Sequence, residues 1–171
     1  MLIAGVDEVG RGAWAGPVFA AAVILNINHN IMGIKDSKKL NKNARNRLSE
    51  EIKTNSIFAF GQASVEEIDS LNIRKATLLA MKRAIEGLSI IPSLVLVDGR
   101  DIPNVEMECK GIIDGDNLDI NIAAASIIAK VKRDALMQDL TRLHPMYGWD
   151  KNVGYGTRAH MIAIENYGIV E

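Results

Sequence analysis

The sequence predicts an α/β fold: a mixed central sheet of about five strands flanked by helices on both faces. Three observations carry this. Short apolar runs, several of them β-branched, stop abruptly at glycine or acidic residues. Two longer segments repeat apolar or small side chains at helical spacing. Strands come mainly first and helices after, in a chain of 171 residues with 48% hydrophobic content, which suits one core rather than two.

Residues 2–6 are a short apolar run ending at Asp7-Glu8 and then glycines, the pattern of a buried strand. After Pro17, residues 18–25 are again apolar and predict a second strand, joined to the first as a hairpin through a tight glycine turn. Residues 26–34 read as loop, 42–53 as a helix and 57–63 as a third strand. Positions 73, 77, 80, 81, 84, 85 and 88 share one helical face, and Gly87 marks that helix's end. Residues 94–97 form a fourth strand stopping at Asp98-Gly99, and 105–109 a fifth. The longest helix runs over 123–143 and is closed by Pro145, with a last short helix within 158–166.

Charged residues make up 24% of the chain, so it is neither disordered nor fibrous. With 20 basic and 21 acidic side chains the formal net charge is −1, which excludes a globally cationic nucleic-acid coat and leaves room for local patches. Cys109 is the single cysteine, so no internal disulfide forms and a reducing compartment fits. No apolar run approaches the roughly 18–20 residues that span a bilayer, and the N-terminus lacks a basic signal-peptide region. The expectation is a cytoplasmic protein of one domain covering residues 1–171, without a membrane partner.

Acidic residues fall where the backbone leaves the predicted core. Asp7 and Glu8 end the first strand, Asp98 ends the fourth, and Asp114 and Asp116 precede the longest helix. Strand ends in open α/β sheets are where side chains escape the core and meet in a crevice. Adjacent carboxylates in such a crevice raise one another's pKa unless a cation neutralises them, and oxygen-only ligands suit Mg²⁺ or Mn²⁺ rather than zinc. Several together can hold two such ions for phosphodiester displacement. Taken singly, Asp98-Gly99 is an ordinary turn, and Asp114 or Asp116 a helix cap or solvated acid. Asp7-Glu8 is harder to dismiss, although neighbours on a regular strand face opposite sides. The two reach one site only if the strand breaks at Glu8, which Gly10 and Gly12 would allow.

Gly10-Arg11-Gly12-Ala13-Trp14-Ala15-Gly16 superficially fits a dinucleotide-binding fingerprint, with Asp36 near the distance of a ribose-binding acid. That fingerprint must open a helix, whereas Pro17 and the run after it promise a strand, and Asp7 and Glu8 would repel a pyrophosphate. The other use of such glycines is close approach of the backbone to a sugar or phosphate, with Arg11 adding a planar donor fork; a plain hairpin turn is the alternative.

Gly5-Val6-Asp7-Glu8-Val9-Gly10-Arg11-Gly12, with Ala15-Gly16-Pro17-Val18, resembles the opening motif of ribonuclease HII, the type 2 ribonuclease H. The likeness continues in order through Asp36-Ser37-Lys38-Lys39-Leu40, Val97-Asp98-Gly99 and Gly115-Asp116. It then takes in Ala123-Ala124-Ala125-Ser126-Ile127-Ile128-Ala129-Lys130-Val131, Arg133-Asp134, His144-Pro145, Tyr147-Gly148-Trp149, Asn152, Gly154-Tyr155-Gly156-Thr157 and His160.

The resemblance implies an RNase H-like fold and an endoribonuclease that cuts the RNA strand of RNA–DNA hybrids. It also implies nicking on the 5′ side of single ribonucleotides embedded in duplex DNA, leaving 3′-hydroxyl and 5′-phosphate ends. By position, Asp7, Glu8, Asp98 and Asp116 match the family's metal-binding carboxylates, which selects Asp116 over Asp114. Gly10, Arg11 and Gly12 match the loop that senses the ribose 2′-hydroxyl, and Tyr155 the residue that stacks on the following deoxyribose. Two Mg²⁺ or Mn²⁺ ions, a hybrid or ribonucleotide-containing duplex as partner, and a monomeric state are the corresponding expectations.

Members of that family usually continue with a basic, aromatic-containing tail, which this chain is expected to lack. Lys35, Lys38, Lys39, Lys42, Arg45 and Arg47 form a basic stretch for phosphates, unless they are simply a solvated face. Ser126, Lys130 and Arg133 form one helical stripe that would meet the same backbone, with Asp134 a partner for Lys130 or a fifth acid. His144 and His160 suit hydrogen bonding better than a zinc site. A catalytically silent hybrid-binding protein and a nuclease of DNA junctions are the rival readings. Against the first, uncompensated acids repel phosphate; against the second stand Tyr155 and the glycine loop.

Overall fold

The stretch Val18–Leu25 (β2) reads Val-Phe-Ala-Ala-Ala-Val-Ile-Leu and is buried at seven of its eight positions. A strand buried on both faces needs helices above and below it. The computed structural model, which describes residues 1–34 and 39–170, supplies them. Val18, Ala20, Ala22 and Ile24 point to one side, against Ala76, Ala80 and Ala84 of α3 (Ile73–Glu86). Ala21 and Val23 point to the other, against α5 (Ile120–Leu143), with Leu48 and Ile52 of α1 (Lys42–Thr54) in the same core.

The five strands are ordered β3-β2-β1-β4-β5, with β1 at Ile3–Val9, β3 at Ser56–Ala63, β4 at Leu94–Asp98 and β5 at Cys109–Ile112. β2 runs antiparallel to both β1 and β3, whereas β4 runs parallel to β1 and to β5. The expected mixed sheet between helices is thus what forms. Alanine and glycine at the contact faces let helices approach closely. A Cβ on Gly61 would lie 2.0 Å from the Ala80 carbonyl oxygen, so α3 sits almost on the β3 backbone.

Several boundaries differ from expectation. β1 does not stop at Val6 but runs through both acids to Val9, because its ladder with β2 continues from Asp7↔Ala21 to Val9↔Phe19. The hairpin is joined by an eight-residue loop, 10–17, rather than a tight turn. The fifth strand lies C-terminal to the predicted 105–109: Val105 and Met107 pack on the core without a ladder, and pairing with β4 begins only at Cys109. α5 begins at Ile120, where Asp119 accepts hydrogen bonds from the Asn121 and Ile122 amides. Three short helices went unpredicted: α2 (Val65–Leu71), α4 (Gly115–Leu118) and α6 (Trp149–Asn152). The chain ends in α7 (Arg158–Tyr167). No helix among the described residues is long and apolar enough to cross a membrane.

α2 is fastened by a reciprocal cap: Ser64 Oγ accepts from the Glu67 amide, and Glu67 accepts from the Ser64 amide. The same carboxylate takes two 2.7 Å hydrogen bonds from Arg83 of α3, and these contacts lower its pKa from 4.5 to about 2. A depressed carboxylate pKa stabilises the fold above the unfolded-state value, and that stabilisation disappears as pH falls through the folded value. The stability gap between wild type and Glu67→Gln should therefore be largest above pH 4.5 and close toward about pH 2. Urea midpoints at about pH 7 and about pH 3 measure it; an equal gap at both would remove the charge from the explanation.

Candidate active site

The ladder between β1 and β4 ends at Val6↔Val97. Beyond it β1 continues beside β2 alone, while β4 turns away at Gly99, whose φ of +95° is in the left-handed region. A notch opens on the edge of β1 at the point where Asp7 and Glu8 emerge. Side-chain alternation sends Glu8 toward the α3 side, with Ala4 and Val6, and Asp7 toward α5. Both nonetheless reach the notch: one carboxylate oxygen each from Asp7, Glu8 and Asp98 lies within 4.8 Å of the others. No break in the strand is needed, contrary to expectation, because the missing neighbour frees the edge and lets the two side chains close in from opposite faces.

Each acid is held by its surroundings. Asp7 is 6% exposed, its Oδ1 accepts from the Glu8 amide at 2.7 Å, and the Ser126 hydroxyl of α5 also bonds its carboxylate. Asp98 Oδ1 accepts from the Gly115 amide at 2.7 Å, tying the end of β4 to the start of α4. Burial, and then the charges of Glu8 and Asp98, hold the Asp7 carboxyl well above its usual range. Burial and Asp98 push Glu8 the same way, opposed in part by Arg11. Two desolvated carboxylates with raised pKa values beside a third acid, with no nitrogen or sulfur ligand among them, suit a hard divalent cation such as Mg²⁺ or Mn²⁺. A cavity of about 260 Å³ adjoins Glu8 and Asp98 on the α3 side, bordered by Arg11, Arg74, Arg100 and Asp101.

The other predicted residues fall in different places. Asp116 is half-buried in the first turn of α4, one residue past the amide that binds Asp98, and is not among the three acids that converge. Asp114 is exposed, in the left-handed region, and makes no side-chain cap. Gly10 is buried, while Arg11 and Gly12 are exposed at the loop's tip. A Cβ on Gly12 would lie 3.8 Å from the ring of Tyr155, so the loop and the tyrosine are neighbours. Ser126 is directed at Asp7, and Lys130 pairs with Asp134 at 2.8 Å. Lys39 is exposed, whereas Lys35, Asp36 and Lys38 lie outside the described residues. In the rest of the basic stretch Lys42 donates to Gln138 and Arg45 to the Leu40 carbonyl.

Arg133 contradicts the expected stripe. It is 0% exposed, and its guanidinium donates to the carbonyls of Ala15, Pro17 and Val153 instead of facing solvent. Helical spacing fixed its face but said nothing of what lies opposite. His160 is also buried. Trp149 Nε1 donates to its Nε2 at 3.1 Å, so Nδ1 carries the proton and donates to the Tyr155 carbonyl at 2.9 Å. His144 packs edge-on against Trp149.

A five-strand mixed sheet between helices, with acids at the adjoining ends of its two central parallel strands, defines an α/β protein of the RNase H-like fold. The ribonuclease HII family model matches residues 4–171, and the chain belongs to that family. Over 171 residues it is 55% identical to ribonuclease HII of Wolbachia pipientis, covering 99% of this chain and 86% of that one. Over 168 residues it is 52% identical to ribonuclease HII of Desulfitobacterium hafniense, covering 98% of this chain. The chain spans 65% of the length of that relative. The crystal structure of ribonuclease H2 from Pyrococcus horikoshii is similar with a TM-score of 0.84 at 25% identity, over 100% of this chain and 90% of that one.

Proposed function

We propose that this chain is an endoribonuclease that hydrolyses the RNA strand of RNA–DNA hybrids. It nicks 5′ of single ribonucleotides embedded in duplex DNA, leaving 3′-hydroxyl and 5′-phosphate ends. The observation that carries this is the convergence of Asp7, Glu8 and Asp98 within 4.8 Å at the notch between β1 and β4. Uncompensated acids in such a notch would repel a phosphodiester, so the arrangement makes sense for a phosphate-handling site only with cations present.

Asp7, Glu8 and Asp98, with Asp116 completing the set from α4, are the groups that would hold two Mg²⁺ or Mn²⁺ ions. When bound, such ions supply water activation and charge neutralisation at the scissile phosphate. The Gly115 amide and the Ser126 hydroxyl keep Asp98 and Asp7 aimed at the notch. Gly10, Arg11 and Gly12 read the ribose 2′-hydroxyl, Gly12 giving the backbone room for close approach. Tyr155, beside that loop, stacks on the following deoxyribose and so favours RNA–DNA junctions. Lys38, Lys39 and Lys130 contribute charge along the duplex backbone. The same reading makes the enzyme a cytoplasmic monomer, in keeping with its lone, half-buried Cys109.

The test is a nicking assay on a duplex carrying one ribonucleotide. Cleavage at the 5′ side of the ribonucleotide is expected in Mg²⁺ or Mn²⁺, with none in chelator and none of an all-DNA control. Equally tight duplex binding with and without metal, and no cleavage, would make the chain a binding protein. Cutting of an all-DNA branched substrate would make it a nuclease of junctions.

A further inference from the structure

Arg133 is the largest fully buried side chain among the described residues, and it carries a charge. Its neighbour Asp134 is taken by Lys130, and carbonyls surround the guanidinium instead. Nε donates to Pro17 O at 3.0 Å, Nη2 to Ala15 O at 2.9 Å and Nη1 to Val153 O at 2.7 Å. These acceptors belong to two segments far apart in sequence, the loop after β1 and the loop before α7. Both meet on the same planar fork.

The segments that flank those carbonyls are the ones given substrate roles above. A Cβ on Gly10 would lie 2.2 Å from Arg133 Nε, so the first glycine of the 10–12 loop rests its bare backbone on the guanidinium. The guanidinium carbon is 5.6 Å from the centre of the Tyr155 ring. The Gly154 carbonyl accepts from the Trp14 and Ala15 amides at 2.8 and 3.2 Å, closing the two segments against each other. Only a five-donor planar cation fits this role, since lysine offers a point charge on a flexible stem. Burying a charge is a poor way to gain stability, because apolar replacements are often neutral or better. What the arrangement secures is relative position.

We propose that Arg133 is a positioning residue for substrate discrimination, holding the 10–12 loop and Tyr155 as one rigid unit. Sensing of the 2′-hydroxyl and stacking on the next deoxyribose then succeed or fail together. The inference rests on the ribonuclease reading above, and Arg133 acts through its neighbours without touching substrate.

The experiment compares kcat and KM on the single-ribonucleotide duplex and on a uniform RNA–DNA hybrid, for wild type, Arg133→Lys, Tyr155→Ala and the double variant. Arg133→Lys should lose about tenfold of the preference for the single-ribonucleotide duplex. Its stabilisation by Mg²⁺ should persist, because the acids lie on other elements. Adding Tyr155→Ala to it should change the preference by less than about twofold, the non-additivity of two residues acting as a unit. An unchanged preference in folded Arg133→Lys, or multiplicative losses in the double variant, overturns the proposal. If Arg133→Lys does not fold, Gly16→Ala takes its place. Its Cβ would lie 2.6 Å from Met137 Sδ and 3.4 Å from Arg133 Nη2, displacing the loop with Arg133 intact. The same loss is expected, and an unchanged preference again overturns the idea. A wild type that cuts neither substrate overturns the ribonuclease reading itself and this inference with it. Variants that discriminate as well as an active wild type overturn this inference alone.

Discussion

Asp7→Asn and Asp98→Asn should each slow nicking of the single-ribonucleotide duplex by on the order of a thousandfold, equivalent to about 4 kcal/mol of transition-state stabilisation. In chelator, the same variants should melt at or above the wild-type temperature. The opposite signs follow from one arrangement. Three carboxylates with oxygens within 4.8 Å repel one another, and Asp7 is nearly excluded from water. An asparagine keeps the shape and an acceptor for the Glu8 amide at position 7, or for the Gly115 amide at position 98, while removing one of the mutually repelling charges. What it loses is the charge a divalent cation needs. Added Mg²⁺ should therefore raise the wild-type melting temperature by mass action and leave the variants' nearly unchanged. Thermal melts with and without Mg²⁺, run beside the nicking assay, check this. A variant both inactive and clearly less stable would assign the acid to the fold, and full activity would remove it from the site.

How much of this site was readable in the chain depends on which constraint set each feature. β2 was legible because eight apolar residues in a row admit few other fates, and α3 because its buried positions recur at helical spacing. The end of β1 was misread for a physical reason. Acids are taken to end a buried strand, yet here the strand persists because β2 still pairs with it after β4 has left. That departure, a property of two strands 90 residues apart in the chain, is what lets Asp7 and Glu8 share a notch from opposite faces. β5 escaped because the Lys110 and Gly111 between its ends are exposed and break any alternation. α2 carries a local signal, a serine followed three residues later by glutamate, but with only seven residues and no buried position it is too short for apolar periodicity to mark it. Arg133 had none: nothing local marks an arginine whose partners lie 116 and 118 residues before it and 20 after.

Gly5→Ala should be among the most damaging single-methyl additions in the molecule. Gly5 sits mid-strand in β1, paired with Val23 on one side and Leu96 on the other, so it cannot move without the sheet. A Cβ there would lie 2.1 Å from the Ile122 nitrogen and 2.2 Å from the Asn121 carbonyl carbon. Both atoms are helix backbone, which has no rotamer to change. The first turn of α5 is itself pinned to β2, since Asn121 Oδ1 accepts from the Leu25 amide at 2.9 Å. The methyl must lever the helix off the sheet, at a cost of about 3 kcal/mol or more, a fall of about 6–12 °C in melting temperature. Gly61→Ala provides the comparison. Its Cβ would meet Ala80 O at 2.0 Å on the opposite face, so α3 rather than α5 is displaced. Both variants should lose comparable stability, but α5 carries Ser126 to Asp7 and Arg133 to the loop, whereas α3 borders the cavity beside Glu8 and Asp98 through Thr77, Leu78 and Met81, and β2 stands between Gly61 and Glu8. Below their melting temperatures, Gly61→Ala should retain most nicking activity per folded molecule, while Gly5→Ala should lose on the order of tenfold or more. Equal specific activities in the two folded variants would mean that the seating of α5 on β1 does not set the geometry of the acids.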